Sequence, residues 1–431
     1  EKGKLSLVNN APDQALKYFQ KVLGNYPQQR SLAAEAAFLQ SQVYELVGNR
    51  EKLVQTFVQV VRDFSDVPQW KQKAIGSIFN LHEKQLTLEK KVSHLQALTE
   101  TYKDIPQLAA AIQNRVGALY YEASENLLAK EAYKTTAKYY KQSESFKARF
   151  ALAKIYAEEE NFDESLSIYQ KISYEPKAIK AYLIEAREGQ IEKTLDKGNW
   201  ELRVGEIKLA FKTFYKLIEF SPDTVEAHRG YLQAASALKK NADAVKTYKK
   251  RVETHPGSPA ELYALGLAYT YLTPPALDAA EEEIGKALAQ DSQQVFFHQT
   301  LGWIYEQKER QQSGFLERAM HEYQIALALN DENKNSRNEA DLLLNLGNGH
   351  YLLNNPLSAR YYYEKREETG LEFLNAEREA LYRQRYGEAS FITGDAVKAV
   401  KQIKYAMDLV GKNNEPVRMA ELHDRIALAY Q

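Results

Sequence analysis

A recurring spacing of small and large residues constrains the fold of this chain more than any other feature. In residues 342–368, "LLLNLGNGHYLLNNPLSARYYYEKREE", Gly347 is followed twelve positions later by Ala359 and then by Tyr363. Three more segments carry the same order of a glycine, an alanine and a large residue: Gly266, Ala280 and Ile284; Gly302, Ala319 and Tyr323; Gly387, Ala399 and Ile403. A chain that reuses one pattern in this way is built from one repeated structural unit.

The residue types in this pattern predict a pair of antiparallel helices. A glycine in the first helix and an alanine in the second allow the two backbones to approach closely. Large residues one turn away, such as Tyr305 and Tyr323, fill the space between successive pairs. We therefore expect most of the 29 tyrosines to lie in the core rather than on a binding surface.

This pattern resembles the tetratricopeptide repeat, in which Leu-Gly, a tyrosine, an alanine, an aromatic residue and a second alanine follow one another. The segments that carry the resemblance are "HQTLGWIYE", "AMHEYQIALALND", "AVKTYKKRVETHP", "ALKYFQKVLGNYP" and "ARFALAKIYAEEENFDESLSIYQKI". The resemblance implies an all-α α-solenoid, a right-handed superhelix of helix pairs. It also implies that the first helices line a concave groove that holds a partner protein.

Departures from the pattern divide the chain into three predicted parts. Residues 1–185 form an irregular repeat array, in which Pro27, Pro68 and Pro106 mark unit ends. Residues 186–205 form a lengthened region between helices or a hinge. Residues 206–431 form a regular array that ends in the middle of a repeat, so flanking repeats or another domain are expected outside this chain.

The chain lacks the residue patterns of known catalytic or metal sites. It has no cysteine, and its eight histidines are scattered without an HExxH motif. Phosphate-binding loops of the GxxxxGK[ST] type, GxSxG elbows and kinase motifs are absent from the sequence. We expect no catalytic residues, no cofactor and no metal, and hence a protein that is not an enzyme.

The charge balance argues against a nucleic-acid partner, since 57 basic and 58 acidic residues leave a net charge of -1. The most basic run, residues 239–251, is expected on a solvated convex face. No apolar run reaches the length of a membrane span. The lack of cysteine, together with phrases such as "VVRDFSD" and "FQKVLGNYPQ" that resemble repeat proteins of the bacterial envelope, favours the cell envelope or periplasm, with the cytoplasm left open.

Two functions fit these observations. The first is a non-enzymatic scaffold or adaptor that binds a partner protein through its concave groove, in a bacterial envelope assembly or export system. The second is the regulatory or recruiting arm of a larger enzyme or polysaccharide-secretion protein whose other domain lies outside this chain.

The groove of the second half is the predicted binding surface, because the glycine positions leave one face of each first helix free. An alternative is that these side chains only contact neighbouring units or a flanking domain. Asn348 matches the groove asparagine of the family, but Leu344 replaces the lysine of carboxylate-binding members, so binding of a C-terminal carboxylate is not expected. The predicted groove residues are Tyr263, Leu267, Tyr271, Gln299, Trp303, Glu306, Leu344, Asn348, Tyr351, Gln384, Glu388 and Phe391.

Overall fold

All regular secondary structure in the described part of the chain is helical. A computed structural model describes the chain except for residues 84–85, 141–142, 177, 334–335, 374, 413–415 and 431. Its helices, α1 to α23, follow one another without a strand in the described ranges. The predicted all-α class is therefore confirmed.

The chain divides into two compact units, Glu1–Thr194 and Leu195–Gln431, and the division falls within α11. Helices of the first unit are α1 (Lys2–Val8), α2 (Pro12–Asn25), α3 (Arg30–Leu46), α4 (Arg50–Asp63), α5 (Pro68–Glu83), α6 (Leu88–Thr101), α7 (Pro106–Glu122), α8 (Asn126–Tyr139), α9 (Ser143–Glu158), α10 (Phe162–Ser173) and the first part of α11 (Lys180–Arg203).

Helices of the second unit continue from the last part of α11. They are α12 (Ile207–Phe220), α13 (Val225–Ala237), α14 (Asn241–Thr254), α15 (Pro259–Thr270), α16 (Leu277–Gln290), α17 (Val295–Glu309), α18 (Leu316–Asn333), α19 (Ser336–Leu352), α20 (Pro356–Glu368), α21 (Ala376–Ile392), α22 (Ala396–Lys412) and α23 (Pro416–Tyr430).

Within each unit the helices form consecutive antiparallel pairs, in which an odd-numbered first helix is followed by an even-numbered second helix. Each second helix also contacts the next first helix, as α8 contacts α9 and α18 contacts α19. Several first helices also contact the first helix of a neighbouring pair, as α7 contacts α9 and α19 contacts α21. This stacking confirms the α-solenoid prediction, and the right-handed superhelix stays a prediction.

Most pairs are joined by a three-residue turn whose middle residue has a left-handed backbone. Two backbone hydrogen bonds connect this turn to the end of the first helix. In one example, Lys239 N donates to Ser236 O at 2.9 Å and Lys240 N donates to Ala235 O at 2.8 Å. Such a turn closes the carbonyl end of the first helix and starts the second one at once. The middle residues with positive φ are Asn10, Gly48, Ser124, Glu160, Gly205, Lys239, Asn354 and Gly394.

The predicted close approach of paired helices is confirmed at all four glycines. A Cβ atom on Gly302 would lie 2.7 Å from Cε1 of Tyr323, and one on Gly347 would lie 2.6 Å from the ring of Tyr363. The corresponding distance is 2.5 Å from Gly266 to Ile284 and 2.6 Å from Gly387 to Ile403. The glycines thus leave room for the large side chain of the second helix.

Three further pairs use the same spacing, which the sequence analysis missed. In each one a glycine precedes a buried alanine by twelve residues and lies against an aromatic ring sixteen residues later. These sets are Gly3, Ala15 and Phe19; Gly117, Ala129 and Tyr133; Gly198, Ala210 and Phe214. The last set shows that the end of α11 serves as the first helix of a pair with α12.

The predicted region 186–205 is helical up to Arg203, since α11 runs from Lys180 to Arg203. Its two parts contact different partners. Gly189 in the first unit lies against Tyr169, and Gly198 in the second unit lies against Phe214. The predicted boundaries and the hinge role remain predictions.

Candidate partner-binding surface

The twelve predicted groove residues lie on four first helices of the second unit, α15, α17, α19 and α21. Four of them are buried: Tyr263, Leu267, Leu344 and Glu388. Helix α15 is enclosed on nearly every side, because α13, α14, α16 and α17 all contact it. The buried members therefore stabilise the unit from inside, and the half-exposed members make up the accessible surface.

A polar network joins α19 to α21. The hydroxyl of Tyr351 donates a hydrogen bond to the carboxylate of Glu388, and Gln384 Nε2 donates to Glu388 Oε1 at 3.2 Å. Asn348 Oδ1 accepts from the hydroxyl of Tyr363 at 2.9 Å and from Arg385 Nη1 at 3.0 Å. The structure thus brings Asn348, Tyr351, Gln384 and Glu388 together. This cluster agrees equally with a partner-binding groove and with packing between neighbouring units.

Burial and the neighbouring carboxylate set the chemistry of this network. Burial of the phenol, followed by its hydrogen bond to Glu388, raises the pKa of Tyr351 to about 12. Tyr351 therefore stays a neutral donor at physiological pH. The network can offer hydrogen bonds and ring surface to a partner.

Sequence analysis missed Arg385, which lies on the same surface as the network. Its guanidinium stands 5.4 Å from the centre of the Tyr351 ring and donates to Asn348. In the described part of the chain, no carboxylate lies within salt-bridge distance of Arg385. In the sequence, the signal for Arg385 was its position between two predicted groove residues, Gln384 and Glu388.

A second cluster joins α13, α15 and α17. Arg229 Nη1 donates to the hydroxyl of Tyr263 at 2.9 Å, and that hydroxyl lies 3.1 Å from Oγ1 of Thr300. The guanidinium of Arg229 also lies 4.0 Å from the centre of the Phe296 ring, within cation–π range. Tyr263 thus binds neighbouring helices together, which accounts for its burial.

Gln299 belongs to the accessible part of α17. Its Oε1 atom is buried and has no hydrogen-bond partner. Trp303 follows one turn later and is half-exposed, as is Glu306, whose Oε2 accepts from the hydroxyl of Tyr323 at 3.1 Å. Toward the ends of the surface, Tyr271 is half-buried and Phe391 is exposed.

The first unit contains a hollow that sequence analysis did not predict. Three successive first helices, α5, α7 and α9, enclose about 670 Å³ together with side chains at the start of α11. Its lining includes Ile75, Gly76, Phe79, Asn114 and Tyr182. Small residues on the facing helices, Ala111, Ala118 and Ala151, leave the space open.

The described residues contain no group of three or more His, Asp, Glu or Cys side chains placed to hold a metal ion. None of the described helices combines the length and the apolar character needed to cross a membrane.

A comparison with family models identifies one segment of the first unit. Residues 117–176 match the tetratricopeptide repeat. The segment covers the end of α7 together with α8, α9 and α10, and it includes the contact between Gly117 and Tyr133. The match supports the resemblance to the tetratricopeptide repeat family, and the helix pairs along both units agree with it.

The comparison with curated proteins found no match. Among solved structures, the chain is similar to the APC/C hetero-tetramer Cut9–Hcn1, with 15% identity, 100% of this chain and 95% of that chain covered, and a TM-score of 0.43. It is similar to YrrB, described as a TPR protein with an unusual peptide-binding site, with 18% identity, coverage of 49% and 97%, and a TM-score of 0.35.

A tetratricopeptide repeat protein from Parabacteroides merdae is also similar, with 12% identity, coverage of 67% and 100%, and a TM-score of 0.35. Similarities with identities and TM-scores this low add nothing to the evidence for the fold, which comes from the chain's own helices.

Proposed function

We propose that this protein is a non-enzymatic scaffold that binds a partner protein along the first helices of its second unit. The observation that carries the proposal is a stripe of half-exposed and exposed side chains on the first helices α17, α19 and α21. This stripe consists of Gln299, Trp303, Glu306, Asn348, Tyr351, Gln384 and Phe391. Aromatic rings beside amide groups are typical of protein-binding surfaces, because rings supply buried area and amides pair with a partner's backbone.

An extended peptide or an amphipathic helix is the partner that suits this stripe. The unpaired Oε1 of Gln299 can accept a hydrogen bond from a partner's N–H group. Arg385 carries a positive charge without a carboxylate partner in the described part of the second unit, so an acidic side chain of the partner can pair with it.

An affinity capture tests this proposal. The full chain carrying an affinity tag is compared with the variant Trp303→Ala plus Tyr351→Ala, and the amount of the main captured protein is measured. We expect the variant to lose that protein while its circular dichroism spectrum is unchanged, because truncation of central aromatic residues removes most of the binding energy of an interface.

The matched control is Tyr361→Ala plus Tyr405→Ala, which removes two exposed rings from the second helices α20 and α22. The control should retain the captured protein. Retention by the Trp303 and Tyr351 variant, or equal loss by both variants, would refute the proposed surface.

We also propose that the protein works in the bacterial cell envelope. The absence of cysteine supports this location, since a free thiol is a liability in an oxidising compartment. An alkaline phosphatase fusion to the product of the complete gene tests it. Phosphatase activity at the level of an exported control would support the proposal, and activity at the level of a cytoplasmic control would contradict it.

A further inference from the structure

We infer that the hollow of the first unit is a second partner-binding site, which takes a peptide segment bearing an apolar side chain, an N–H donor and an acidic residue. The inference extends the proposed scaffold function to a site independent of the stripe on the second unit. Its support comes from three residues that line the same space: an asparagine with an unpaired acceptor, a glycine beside empty space and a lysine without a carboxylate partner among the described residues.

The unpaired acceptor is Oδ1 of Asn114, on α7. Both hydrogen bonds of the Asn114 amide nitrogen go to Glu144, at 2.9 Å to its backbone carbonyl and 2.9 Å to Oε2 of its carboxylate. These bonds fix the orientation of the amide, because only an NH₂ group can donate to two oxygens. The other atom of the amide, Oδ1, is buried and has no hydrogen-bond partner. A buried acceptor left in this state costs free energy that a ligand's N–H group can recover.

The glycine beside empty space is Gly76, in the interior of α5. A Cβ atom added to Gly76 would have no atom within 4 Å, unlike the glycines that make room for a partner helix. A glycine inside a helix is less favourable than an alanine, and no helix contact explains this one. Because Gly76 has no side chain, it keeps open the floor of the hollow, which is the surface of α5 around Gly76.

The walls on either side of this floor are apolar and aromatic. Ile75 and Phe79 lie one turn apart on α5, and Tyr182 faces them from the start of α11. The ring of Tyr182 is held by stacking on Phe146, at 4.7 Å between centroids. A volume of about 670 Å³ falls in the range that holds a few side chains of a bound ligand.

The charges of the lining determine which peptide fits. Arg115 forms ion pairs with Glu83 and Glu122, and Lys147 forms one with Glu144. Lys71 donates only to the backbone carbonyl of Ser65, at 3.2 Å, and has no carboxylate partner among the described residues. Charge complementarity therefore favours a peptide with an Asp or Glu next to its apolar side chain.

A peptide selection tests this inference with a defined probe. Twelve-residue peptides displayed on phage are selected on the full chain and depleted on the Gly76→Leu variant. One enriched peptide is then synthesised with a fluorescein label, and its Kd is measured by fluorescence anisotropy for each variant. We expect at least a tenfold weaker Kd for Gly76→Leu, because the new side chain fills the hollow.

Two further variants examine the polar contacts. Asn114→Ala should weaken binding about tenfold, the equivalent of one buried hydrogen bond. Lys71→Gln should weaken it severalfold, and the same loss should follow when the acidic residue of the peptide is replaced by its amide. Thermal melts should show that Gly76→Leu folds at least as stably as the parent, since its site is free of contacts.

Two controls separate this inference from the proposed function. Gly285→Leu changes another helical glycine without neighbours, on α16 of the second unit, and should leave the Kd unchanged. Trp303→Ala plus Tyr351→Ala should also leave it unchanged. The inference is overturned if no peptide discriminates the parent from Gly76→Leu, or if binding is lost in the Trp303 and Tyr351 variant; neither outcome depends on the captured partner of the second unit.

Discussion

Single glycines determine how closely the paired helices approach. The 12- and 16-residue spacings of Gly117, Ala129 and Tyr133 are the same as those of Gly347, Ala359 and Tyr363, and in both sets the ring covers the glycine. Because the ring fills the space that a Cβ atom would occupy, the glycine and the ring act as one contact. A larger residue at the glycine must displace the ring or separate the helices.

Gly302→Leu should therefore destabilise the protein by about 1–3 kcal/mol, as overpacking of a well-filled contact does. Its Cβ would lie 2.7 Å from the ring of Tyr323 and 3.2 Å from the carbonyl oxygen of Ala319. Gly285→Leu is the matched control, since it has open space and gains helix propensity. Urea unfolding should show a lower midpoint for Gly302→Leu alone; equal midpoints would contradict the helix registration.

Two buried histidines should give stability a dependence on pH, with opposite signs. Burial lowers the pKa of His228 to about 4, and its ring nitrogens contact the hydroxyl of Tyr248 at 2.8 Å and the carbonyl of Pro222 at 2.7 Å. The folded state then binds fewer protons than the unfolded state, whose histidine pKa is about 6.5. Stability from this group is complete above pH 6.5 and falls as the pH drops toward 4.

We expect His228→Gln to reduce the loss of stability between pH 7 and pH 4, by at most about 3 kcal/mol. The free energy of unfolding, measured in urea at both pH values, checks this. A parent and a variant with parallel pH dependence would exclude His228 as the source.

His298 provides the opposite case. Burial opposes its charge, but a hydrogen bond with Glu322 and another with the Ser292 carbonyl raise its pKa. The stability that His298 contributes is therefore present below pH 6.5, and it is lost as the pH rises through the pKa of His298 in the folded state. His298→Gln should destabilise the protein more at pH 5.5 than at pH 8, in the same unfolding experiment.

Sequence reasoning at this scale correctly predicted the close contact at four sets of a glycine, an alanine and a large residue, but it overlooked three other sets. Gly3 was missed because only the end of its helix precedes Ala15, and Gly198 because its segment was interpreted as a lengthened connection. The unpaired acceptor of Asn114 could not be predicted, because it depends on two hydrogen bonds that the Asn114 amide nitrogen donates to Glu144 of another helix, α9.

The three-residue turn is the element that joins most helix pairs. Its middle residue adopts a left-handed backbone whatever its type, with φ of 59° at Lys239, 60° at Glu160 and 86° at Gly394. Residues with a side chain cost roughly 1–2 kcal/mol in this conformation, whereas glycine adopts it freely. The array thus contains several positions at which the sequence is not optimal for its own turn.

Lys239→Gly should raise the free energy of unfolding by about 0.5–1 kcal/mol, since it relieves the left-handed strain at some entropic cost. Gly394→Ala should lower it by about 1 kcal/mol at the equivalent turn. Thermal unfolding of the two variants measures both effects. A destabilised Lys239→Gly would show that its side chain makes a contact worth more than the strain.

At the scale of the whole molecule, periodicity predicted what kind of fold the chain adopts, but not which faces its units leave free. Tyr263 and Leu344 were assigned to the groove from their angular position on a single helix, yet both are buried. Arg229 of α13 and Thr300 of α17 bond the hydroxyl of Tyr263 from two neighbouring pairs. Contacts that involve three helix pairs depend on how the pairs stack in the array. That stacking cannot be predicted from the residue pattern of one helix.

Hydrogen–deuterium exchange with and without the captured partner tests the central claim, that the first helices of the second unit bind it. We expect the partner to slow exchange in α17, α19 and α21, and to leave the second helices α18, α20 and α22 unchanged. Slower exchange confined to α18, α20 and α22 would contradict the account.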